Sequence, residues 1–402
     1  MKEILVLGAG YAGLKAVRNL QKQSGEFHIS LGDMNDYHYE ATELHEVAAG
    51  SQPKEKITFP IKDVINTNKV NFMQDEVLKV DAENKTVTVK NNGELHYDYV
   101  VVALGFVSET FGIKGAMENA LQMTNISQAE NIHNHIVNTM KLYRETKDEN
   151  LLKLLVCGAG FTGIELAGAM VDERPKYAAL AGVKPEQIEI ICVEAATRIL
   201  PMFDDELAQY GVNLIKDLGI NLMLGSMIKE IKPGEVVYGT SKEDEELKSI
   251  TAGTIIWTTG VSGSPVMGES GFDQRRGRVM VNSDLRDPKY DNVYVIGDVS
   301  AFMDTESGRP FPTTAQIATR MGAHVAKNLL HQIKGEATED FSYSPQGTVA
   351  SVGNTHGLGV VGKTKIKKYP ASVMKKIIMN KSLVDMGGLK ELLAKGRFDL
   401  YH

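Results

Sequence analysis

Two short glycine-rich segments contain the residue types that bind phosphate through the backbone. Gly8-Ala-Gly-Tyr-Ala-Gly13 and Gly158-Ala-Gly-Phe-Thr-Gly163 each follow an apolar run and precede residues with helical spacing. In such a turn the first glycine permits a sharp bend, the second lets the backbone approach a pyrophosphate, and the third lets the helix pack on the strand. These glycines are Gly8, Gly10 and Gly13 in the first segment and Gly158, Gly160 and Gly163 in the second. The N–H groups of the helix that follows favour the phosphates of a dinucleotide.

An acidic residue follows each segment at the end of the next predicted strand. Asp33 and Glu194 stand where a carboxylate can accept a hydrogen bond from a ribose hydroxyl. Glu194 should also repel a ribose 2′-phosphate, which favours NADH over NADPH, although Arg198 is close to it in sequence. An acid in a solvated loop is the less favoured interpretation, because the pattern occurs twice in the same register. The sequence therefore predicts two bound dinucleotides.

The elements that position these residues form two βαβ units. Strand, turn, helix and strand are predicted at 3–7, 8–13, 14–23 and 27–31, and again at 151–157, 158–163, 164–171 and 188–193. Alternating polar and apolar residues at 76–104 predict a β-meander that leads into a last strand at 99–103, and a comparable stretch recurs at 230–260. The repeat therefore extends well beyond the glycines.

A third feature indicates which unit binds which dinucleotide. Residues 293–296 are predicted as a strand that ends in Gly297-Asp298, and residues 312–318 open a helix that continues to about Leu330. A Gly-Asp pair beside the first unit can direct a carboxylate at a ribityl chain, and the second unit has the position of an insertion. We predict an α/β fold with two Rossmann-like dinucleotide-binding domains. The domains are 1–112 with 266–330 for FAD, 113–265 for NADH, and 331–402 as a C-terminal interface and membrane-anchoring region.

Length, charge and cysteine content narrow the class of protein. The 402 residues are too many for one compact core, and a net charge of −7 argues against a nucleic-acid partner. Cys157 and Cys192 lie in apolar runs, which favours a reducing compartment over a disulfide framework. We find neither a signal-peptide pattern nor an apolar stretch of the roughly 20 residues that span a membrane. We expect a peripheral protein at the cytoplasmic face of the cell membrane, and no metal site, because the ten His residues show no ligand spacing.

The chain resembles the two-dinucleotide-binding-domain flavoproteins and, among them, the type II NADH:quinone oxidoreductases. The matching segments cover almost the whole chain and are 35–39, 40–46, 105–112, 158–165, 297–298, 313–318 and 347–351. The resemblance implies noncovalent FAD, NADH as the electron donor and a membrane quinone, menaquinone or ubiquinone, as the acceptor. It also implies entry of electrons into a respiratory chain without proton pumping, and homodimers associated with the membrane.

The resemblance further assigns site residues. Glu165 matches the family's acid near the nicotinamide and the quinone path, and an ordinary first-turn acid is the alternative. Gln316 is implied at the flavin pyrimidine edge, on a helix capped by Thr313 or Thr314. Ile317 and Arg320 are implied beside the quinone, but the family usually has a second glutamine where this chain has Arg320, so quinone specificity stays open. The implied cofactor-binding residues are Gly8, Ala9, Gly10, Tyr11, Ala12, Gly13, Asp33, Met34, Val77, Ala103, Gly105, Gly158, Gly160, Phe161, Thr162, Gly163, Glu194, Gly260, Gly297, Asp298, Ala315, Gln316 and Lys375.

The C-terminal segment is basic and apolar. Ten Lys and Arg residues occur between Lys363 and Arg397, against two acidic residues. Its apolar residues include Val373, Met374, Ile377, Ile378, Leu383, Met386, Leu389, Leu392 and Leu393, and among them lie Lys375, Lys376, Lys381, Lys390 and Lys395. This composition is typical of helices that lie on an anionic lipid surface. A solvated helix that packs on its own domain is the alternative.

Other functions fit parts of the sequence. Disulfide reductases and sulfide:quinone oxidoreductases share the architecture but need redox-active cysteines beside the flavin. Cys157 and Cys192 fall on predicted strands of the NADH unit, so both functions are disfavoured. A soluble NADH oxidase that reduces oxygen, and a nucleotide-sensing flavoprotein without significant turnover, stay open.

Overall fold

Two parallel five-stranded sheets form the framework of the protein. The computed structural model describes residues 1–241, 243–244 and 246–399. The first sheet has the order Val293–Val295, Tyr99–Val102, Lys2–Leu7, Phe27–Asp33, Val70–Gln74. The second has the order Leu121–Gln122, Thr254–Trp257, Lys153–Cys157, Glu189–Val193, Ile220–Met223. In each sheet the central strand leads into a glycine turn, so the turn lies at the carboxyl edge where ligands bind to sheets of this type.

An antiparallel meander recurs in both halves, as the sequence predicts. Its strands are Val77–Asp81, Thr86–Val89 and Gly93–His96 in the first half and Met227–Lys232, Glu235–Gly239 and Lys248–Thr251 in the second. The first strand of each meander carries a β-bulge, between Val77 and Lys79 and between Ile228 and Glu230. The second meander begins at Met227, slightly before the predicted residue 230.

The helices after the glycine turns begin earlier than the apolar periodicity predicts. They are Tyr11–Leu20 and Phe161–Ala181, with Gly10 and Gly160 as N-caps. The second also continues well beyond the predicted end at residue 171 and contains Pro175. The other α-helices are Leu44–Ala49, Ile61–Val64, Ala116–Asn119, Ile126–Thr146, Asp205–Asp217, Val266–Glu269, Ala315–Ile333, Lys368–Gly387 and Leu389–Lys395. Short 3-10 helices occupy Ala41–Glu43, Lys54–Lys56, Glu149–Leu152, Pro185–Gln187 and Gly297–Val299.

Two adjacent strands join the halves. Phe106–Ser108 leaves the first sheet and pairs antiparallel with Val261–Gly263, which returns from the second. The helix Leu44–Ala49 belongs to the first half by its position in the sequence, but its residues pack in the apolar core of the second half. The remaining strands form small sheets: Tyr37–Tyr39 with Thr58–Pro60, Gln274–Arg275 with Arg278–Met280 and Ser300–Ala301, and Met303–Asp304 with Arg309–Pro310.

The C-terminal region begins with three antiparallel strands, Gly347–Ser351, Gly357–Val361 and Thr364–Lys367, and ends with the helix pair Lys368–Gly387 and Leu389–Lys395. The long helix turns Met379, Leu383 and Met386 inward, so Leu383 and Met386 are not on the outer face that the composition suggested. Lys375 and Lys376 also point inward. The exposed apolar residues of the pair and its tail are Ile377, Ile378, Val384, Leu389, Leu393 and Phe398.

No helix in the described ranges combines the length and the apolarity that a bilayer crossing requires. Residues 400–402 of the predicted C-terminal region lie outside the described residues.

Candidate functional site

The first glycine turn is tied to the acid that follows it. Gly8 has φ +98°, and a Cβ on Gly13 would overlap the Gly8 carbonyl oxygen, so both positions require glycine. Asp33 Oδ2 accepts a hydrogen bond from Ala9 N at 2.6 Å, and Oδ1 accepts one from Asn35 N at 2.8 Å. Burial raises the pKa of Asp33, and these backbone donors oppose that rise.

The second turn repeats this geometry. Gly158 has φ +103°, and a Cβ on Gly163 would overlap the Gly158 carbonyl oxygen. Glu194 Oε2 accepts from Ala159 N at 2.8 Å, and Oε1 accepts from Ala196 N at 2.9 Å. The sequence shows the spacing of turn and acid but not that both carboxylate oxygens are held by the backbone. The backbone therefore fixes the orientation of the Asp33 and Glu194 carboxylates, each beside its own glycine turn.

Both turns leave room for a phosphate group. A Cβ on Gly10 or on Gly160 would meet no other atom within 4 Å, whereas the third glycine of each turn is packed against carbonyl oxygen. The open side of the second glycine faces away from the protein, at the first turn of a helix whose N–H groups are unpaired. The residues therefore fit a pyrophosphate at each turn.

Arg198 forms its bonds with groups other than Glu194. Its Nη1 lies 2.6 Å from Asp205 Oδ1, and its Nη2 donates to the Phe203 carbonyl at 2.5 Å. The guanidinium is thus bonded to the start of the helix Asp205–Asp217. Arg198 is the cation that left the choice between NADH and NADPH open in the sequence, and it binds Asp205 and Phe203 instead of Glu194.

Gly297 and Asp298 lie beside the first turn. Gly297 has φ +69°, and a Cβ there would come within 3.2 Å of the Ala12 side chain. Burial raises the pKa of Asp298 to about 6, against the opposing charge of Arg278. Within the residues that the structure describes, no group donates a hydrogen bond to this carboxylate. A half-buried acceptor of this kind fits the hydroxyl groups of a ribityl chain.

The other predicted residues lie around the two turns. Near the first turn, a Cβ on Gly8 would overlap the Ala103 carbonyl oxygen, and Gly105 follows at φ +69°. Met34 is exposed next to Asp33, and Val77 follows Asp75, whose N–H donates to the Asp33 carbonyl at 2.8 Å. At the second turn, Phe161 opens the helix and contacts Phe203 edge to face at 5.9 Å, and Thr162 follows it. Gly260 accepts from Glu109 N at 3.0 Å through its carbonyl.

Gln316 lies in the first turn of the helix Ala315–Ile333. Of the two threonines that could cap it, Thr314 does so, because its Oγ1 accepts from Ile317 N at 3.3 Å. Gln316 Oε1 accepts from the Tyr343 hydroxyl at 2.7 Å and from Gln346 N at 2.9 Å, so the side chain is not a free surface amide.

Arg320 and Ile317 differ in their surroundings. Arg320 is exposed one turn after Gln316. Burial of Tyr343 raises the pKa of its hydroxyl, and the positive charge of Arg320 acts in the opposite direction. Ile317 is buried in the apolar core of the first half. The structure therefore brings Arg320 and Gln316 together at the surface but directs the Ile317 side chain into the core.

Glu165 is buried in the first turn of its helix and has a cationic partner. Glu165 Oε1 lies 2.7 Å from Lys375 Nζ and accepts from Ser351 N at 3.1 Å. Burial lowers the pKa of Lys375, but Glu165 and Glu43 outweigh it, so the pKa is raised overall. Lys375, which the resemblance assigns to the flavin, is thus bonded to the acid that the resemblance assigns to the quinone path.

A cavity of about 300 Å³ opens beside Glu165. Glu46 and Arg397 line it, with Arg397 Nη1 2.9 Å from Glu46 Oε1. Burial raises the pKa of Glu46, but His45, Arg397 and Ser51 together hold it below its ordinary value. Sequence reasoning missed Glu43, Glu46 and Arg397 as members of the site. The only signal in the sequence was that Glu43 and Glu46 lie in segment 40–46, which is one of the segments that resemble the family.

Ligand-type atoms of Glu43, His45 and Glu46 lie within 4.8 Å of one another. Lys375 is 3.7 Å from Glu43, and Arg397 is 2.9 Å from Glu46. Two protein cations therefore already balance these carboxylates. The prediction that the protein has no metal site stays a prediction.

The two cysteines are buried in neighbouring strands of the second sheet, where Cys157 pairs with Val193 and Cys192 with Val156. Burial raises the pKa of the Cys192 thiol to about 12 and that of Cys157 further. Both thiols are therefore protonated and packed as small apolar groups, as the sequence indicated.

Comparison with known proteins agrees with this geometry. Residues 2–322 match a family described as pyridine nucleotide-disulphide oxidoreductase, which is the class that the two sheets and two turns define. A type II NADH:quinone oxidoreductase of Staphylococcus aureus is 43% identical over 401 residues, covering 99% of each chain, and one of Staphylococcus saprophyticus is 41% identical over the same length. The chain belongs to this family and, within it, to the type II NADH:quinone oxidoreductases.

Solved structures show the same fold at low sequence identity. NDH2 from Plasmodium falciparum in complex with NADH has a TM-score of 0.87 at 17% identity, and covers 98% of this chain and 97% of its own. The sulfide:quinone oxidoreductase from Aquifex aeolicus has a TM-score of 0.78 at 19% identity, and covers 100% of this chain and 96% of its own.

Proposed function

We propose that this protein oxidises NADH with the help of FAD and transfers the two electrons to a membrane quinone. The observation that carries the proposal is the pair of glycine turns, each with an acid fixed at its edge, in a chain 43% identical to type II NADH:quinone oxidoreductases over nearly its whole length. When bound, FAD accepts a hydride from NADH and passes electrons on singly or in pairs. The polypeptide binds and orients the reactants.

FAD is proposed at the first turn. Three features support this assignment: the open side of Gly10, the fixed carboxylate of Asp33, and the carboxylate of Asp298, whose neighbour Gly297 lies beside Ala12. The Gly-Asp pair that follows the strand Val293–Val295 lies beside the first turn. We place the FAD domain at 1–112 and 266–330 and the NADH domain at 113–265.

NADH is proposed at the second turn in preference to NADPH. Ala159 N and Ala196 N donate to the Glu194 carboxylate and hold it beside the turn. Arg198, the cation nearest to it in sequence, is bonded to Asp205 and Phe203. A 2′-phosphate would therefore meet a carboxylate without a cation to balance it.

The quinone is proposed to bind between Gln316 and Glu165. The strand Gly347–Ser351 connects the two positions, because Gln346 just before it donates to Gln316 and Ser351 at its end donates to Glu165. Arg320 lies one helical turn from Gln316 and can orient a quinone carbonyl.

Contact with lipid is proposed for the helix pair at 368–395. Its outward face carries Ile377, Leu389 and Leu393 with Lys381. Binding of such a face to anionic lipid is favoured by burial of the apolar side chains and by attraction of the lysine to the lipid charge. We further propose a homodimer at the cytoplasmic face of the membrane, serving as an entry point of a respiratory chain that pumps no protons.

The decisive experiment is anaerobic. The purified protein should be yellow, lose its flavin absorbance on addition of NADH, and regain it on addition of a menaquinone or ubiquinone analogue. Steady-state rates with the quinone analogue and with oxygen then distinguish a quinone reductase from an NADH oxidase. A colourless protein that retains no added flavin would refute the proposal.

A further inference from the structure

Glu40 is a buried carboxyl group at which distant segments of the chain meet. It is 0% exposed. Its Oε2 accepts a hydrogen bond from the Tyr11 hydroxyl at 2.9 Å and another from the Ser382 hydroxyl at 2.7 Å. Tyr11 opens the helix that follows the first glycine turn, and Ser382 lies on the helix Lys368–Gly387. Two hydroxyl donors therefore use both lone pairs of Oε2.

His38 is bonded to the first glycine turn. Its Nδ1 lies 2.8 Å from the Ala9 carbonyl oxygen, and because a carbonyl only accepts, Nδ1 carries the hydrogen. Ala9 N donates to Asp33, so Ala9 is held through both its N–H and its carbonyl, between the first two glycines of the turn. Burial, together with the charge of Arg18, lowers the pKa of His38 to about 4, against the hydrogen bond to Ala9. The ring is therefore neutral above that pH, and its Nε2 is an acceptor.

The acceptor nitrogen of His38 faces the second oxygen of Glu40. His38 Nε2 and Glu40 Oε1 lie 4.0 Å apart. Among the described residues, neither atom has a hydrogen-bond partner. Two buried lone pairs that face each other are unfavourable, since each has lost its contact with water. A proton on Oε1 removes this conflict, because it makes Oε1 a donor that can reach Nε2 after a small approach or through one water molecule.

The surroundings of Glu40 favour this acid form. Burial raises the pKa of Glu40 to about 7, although the hydrogen bonds from Ser382 and Tyr11 act in the opposite direction. The negative charges of Glu43 and Asp385 add to the rise. Because both hydroxyls donate to Oε2, the proton belongs on Oε1.

The cations near this carboxyl group are bonded to other residues. Lys15 Nζ lies 3.2 Å from Asp385 Oδ1, and Arg18 Nη1 donates to the Asp385 carbonyl at 2.8 Å. Lys375 Nζ lies 3.7 Å from Glu43. In the described ranges no lysine or arginine forms an ion pair with the buried carboxyl group, so its charged form has no such stabilisation.

We propose that Glu40 is a positioning residue for FAD: in its acid form, with the proton on Oε1, it holds His38 against the Ala9 carbonyl and so fixes the turn that receives the pyrophosphate. The inference rests on the proposed function, in which FAD occupies the first turn. The pyrophosphate brings negative charge to the turn and favours the acid form further. Binding of FAD should therefore be accompanied by uptake of a proton at Glu40.

The affinity for FAD should fall as the pH rises. Below a pH of about 7, Glu40 carries its proton before FAD binds, and the affinity does not depend on this group. Above that pH the proton must be taken up with FAD, so the Kd for FAD should rise by up to about tenfold per pH unit. Glu40→Gln offers an amide donor to His38 and an oxygen to the two hydroxyls at every pH, so this contribution to the rise should disappear.

The test is a titration of FAD into the flavin-free full-length protein from about pH 6 to about pH 8.5. Calorimetry in two buffers of different ionisation enthalpy counts the protons taken up, and the wild type should exceed Glu40→Gln by up to about one proton per FAD at the upper end of this range. Asp33 and Asp298, whose pKa values burial also raises, contribute to both proteins, so the difference reports on Glu40. Infrared spectroscopy of the FAD complex should show the C=O band of a buried protonated carboxyl group that Glu40→Gln removes.

A second variant acts from the C-terminal helix. Ser382→Ala removes a hydroxyl that stabilises the Glu40 carboxylate, so it should move the onset of the pH dependence to higher pH. The matched control is Ser372→Ala on the same helix, whose hydroxyl donates to the Asn354 carbonyl, and it should leave the onset unchanged. Glu391→Gln, at another buried acid of the helix pair, should leave the proton count unchanged.

Two results would overturn the inference. One is equal proton uptake in the wild type and in Glu40→Gln, without an infrared band that distinguishes them. The other is the same onset of the pH dependence in Ser382→Ala as in Ser372→Ala. If Glu40→Gln does not fold, the Ser382→Ala titration decides. Failure of the proposed function looks different, because the wild-type protein would then bind no FAD at any pH.

Discussion

Substitution of the second glycine of each turn separates ligand binding from folding. Gly160 has φ −71°, which any L-residue adopts, and a Cβ there would meet no other atom within 4 Å. Gly160→Ala should therefore leave the free energy of unfolding unchanged or raise it by about 0.4–1 kcal/mol, because alanine restricts the unfolded chain. The methyl group instead occupies the space where a pyrophosphate approaches the backbone.

The expected loss is in affinity for NADH. Displacing the phosphates from the helix N-terminus removes at least one charge-assisted hydrogen bond, which contributes about 1.5–3 kcal/mol. The Kd for NADH should rise roughly 10- to 150-fold, while flavin content per mole of protein stays at the wild-type value. Gly10→Ala, at the corresponding position with φ −70°, should lose flavin.

The measurements are flavin absorbance after gel filtration, NADH titration of the reduced protein, and thermal unfolding. Unaltered NADH affinity in Gly160→Ala would refute the placement of the pyrophosphate. Loss of flavin from Gly160→Ala, with retention in Gly10→Ala, would reverse the assignment of the two units.

The remaining predictions concern Asp298, Arg320 and the helix pair at 368–395. Burial raises the pKa of Asp298 from 3.8 to about 6, so this group makes the flavin-free protein less stable as the pH rises from about 4 towards 6. Asp298→Asn should reduce that loss in thermal unfolding, with the remainder due to other buried acids such as Asp33, and should weaken flavin retention. Arg320→Gln should change the KM for quinone far more than the KM for NADH, and equal effects on both would remove Arg320 from the acceptor site. Leu389→Glu with Leu393→Glu should reduce sedimentation with anionic vesicles at low salt, since these side chains are 69% and 78% exposed, whereas Met117→Glu, at a side chain 56% exposed elsewhere, should not.

The repeated unit could be predicted from the sequence because its requirements are local. A turn at φ near +100°, as at Gly8 and Gly158, demands glycine, and the strand before it and the acid after it are close in sequence. The sequence therefore predicted two βαβ units with their meanders. The boundaries were less accurate: the helix Phe161–Ala181 continues past the region of clear periodicity, because its second half packs partly on residues distant in sequence.

The surroundings of Glu165 could not be predicted, because they depend on contacts between distant segments. Lys375 is more than two hundred positions away, and Arg397 reaches Glu46 from the end of the described chain. A basic helix with many lysines is typical of a surface element, and nothing local shows that Lys375 and Lys376 point inward. Side-chain direction in an amphipathic helix is set by its partner, which only the fold supplies.

The two glycine turns have nearly the same geometry, so the turns alone give no reason for two bound ligands to have different lifetimes. The carboxylate-to-backbone distances are 2.6 and 2.8 Å in one copy and 2.8 and 2.9 Å in the other. If FAD and NADH occupy the two turns as proposed, equivalent turns cannot by themselves make one coenzyme permanent and the other exchangeable. The difference must come from the walls: Gly297 and the helix Ala315–Ile333 pack against Ala12 of the first turn, so engineering the lifetime of either complex should begin with these walls rather than with the glycines.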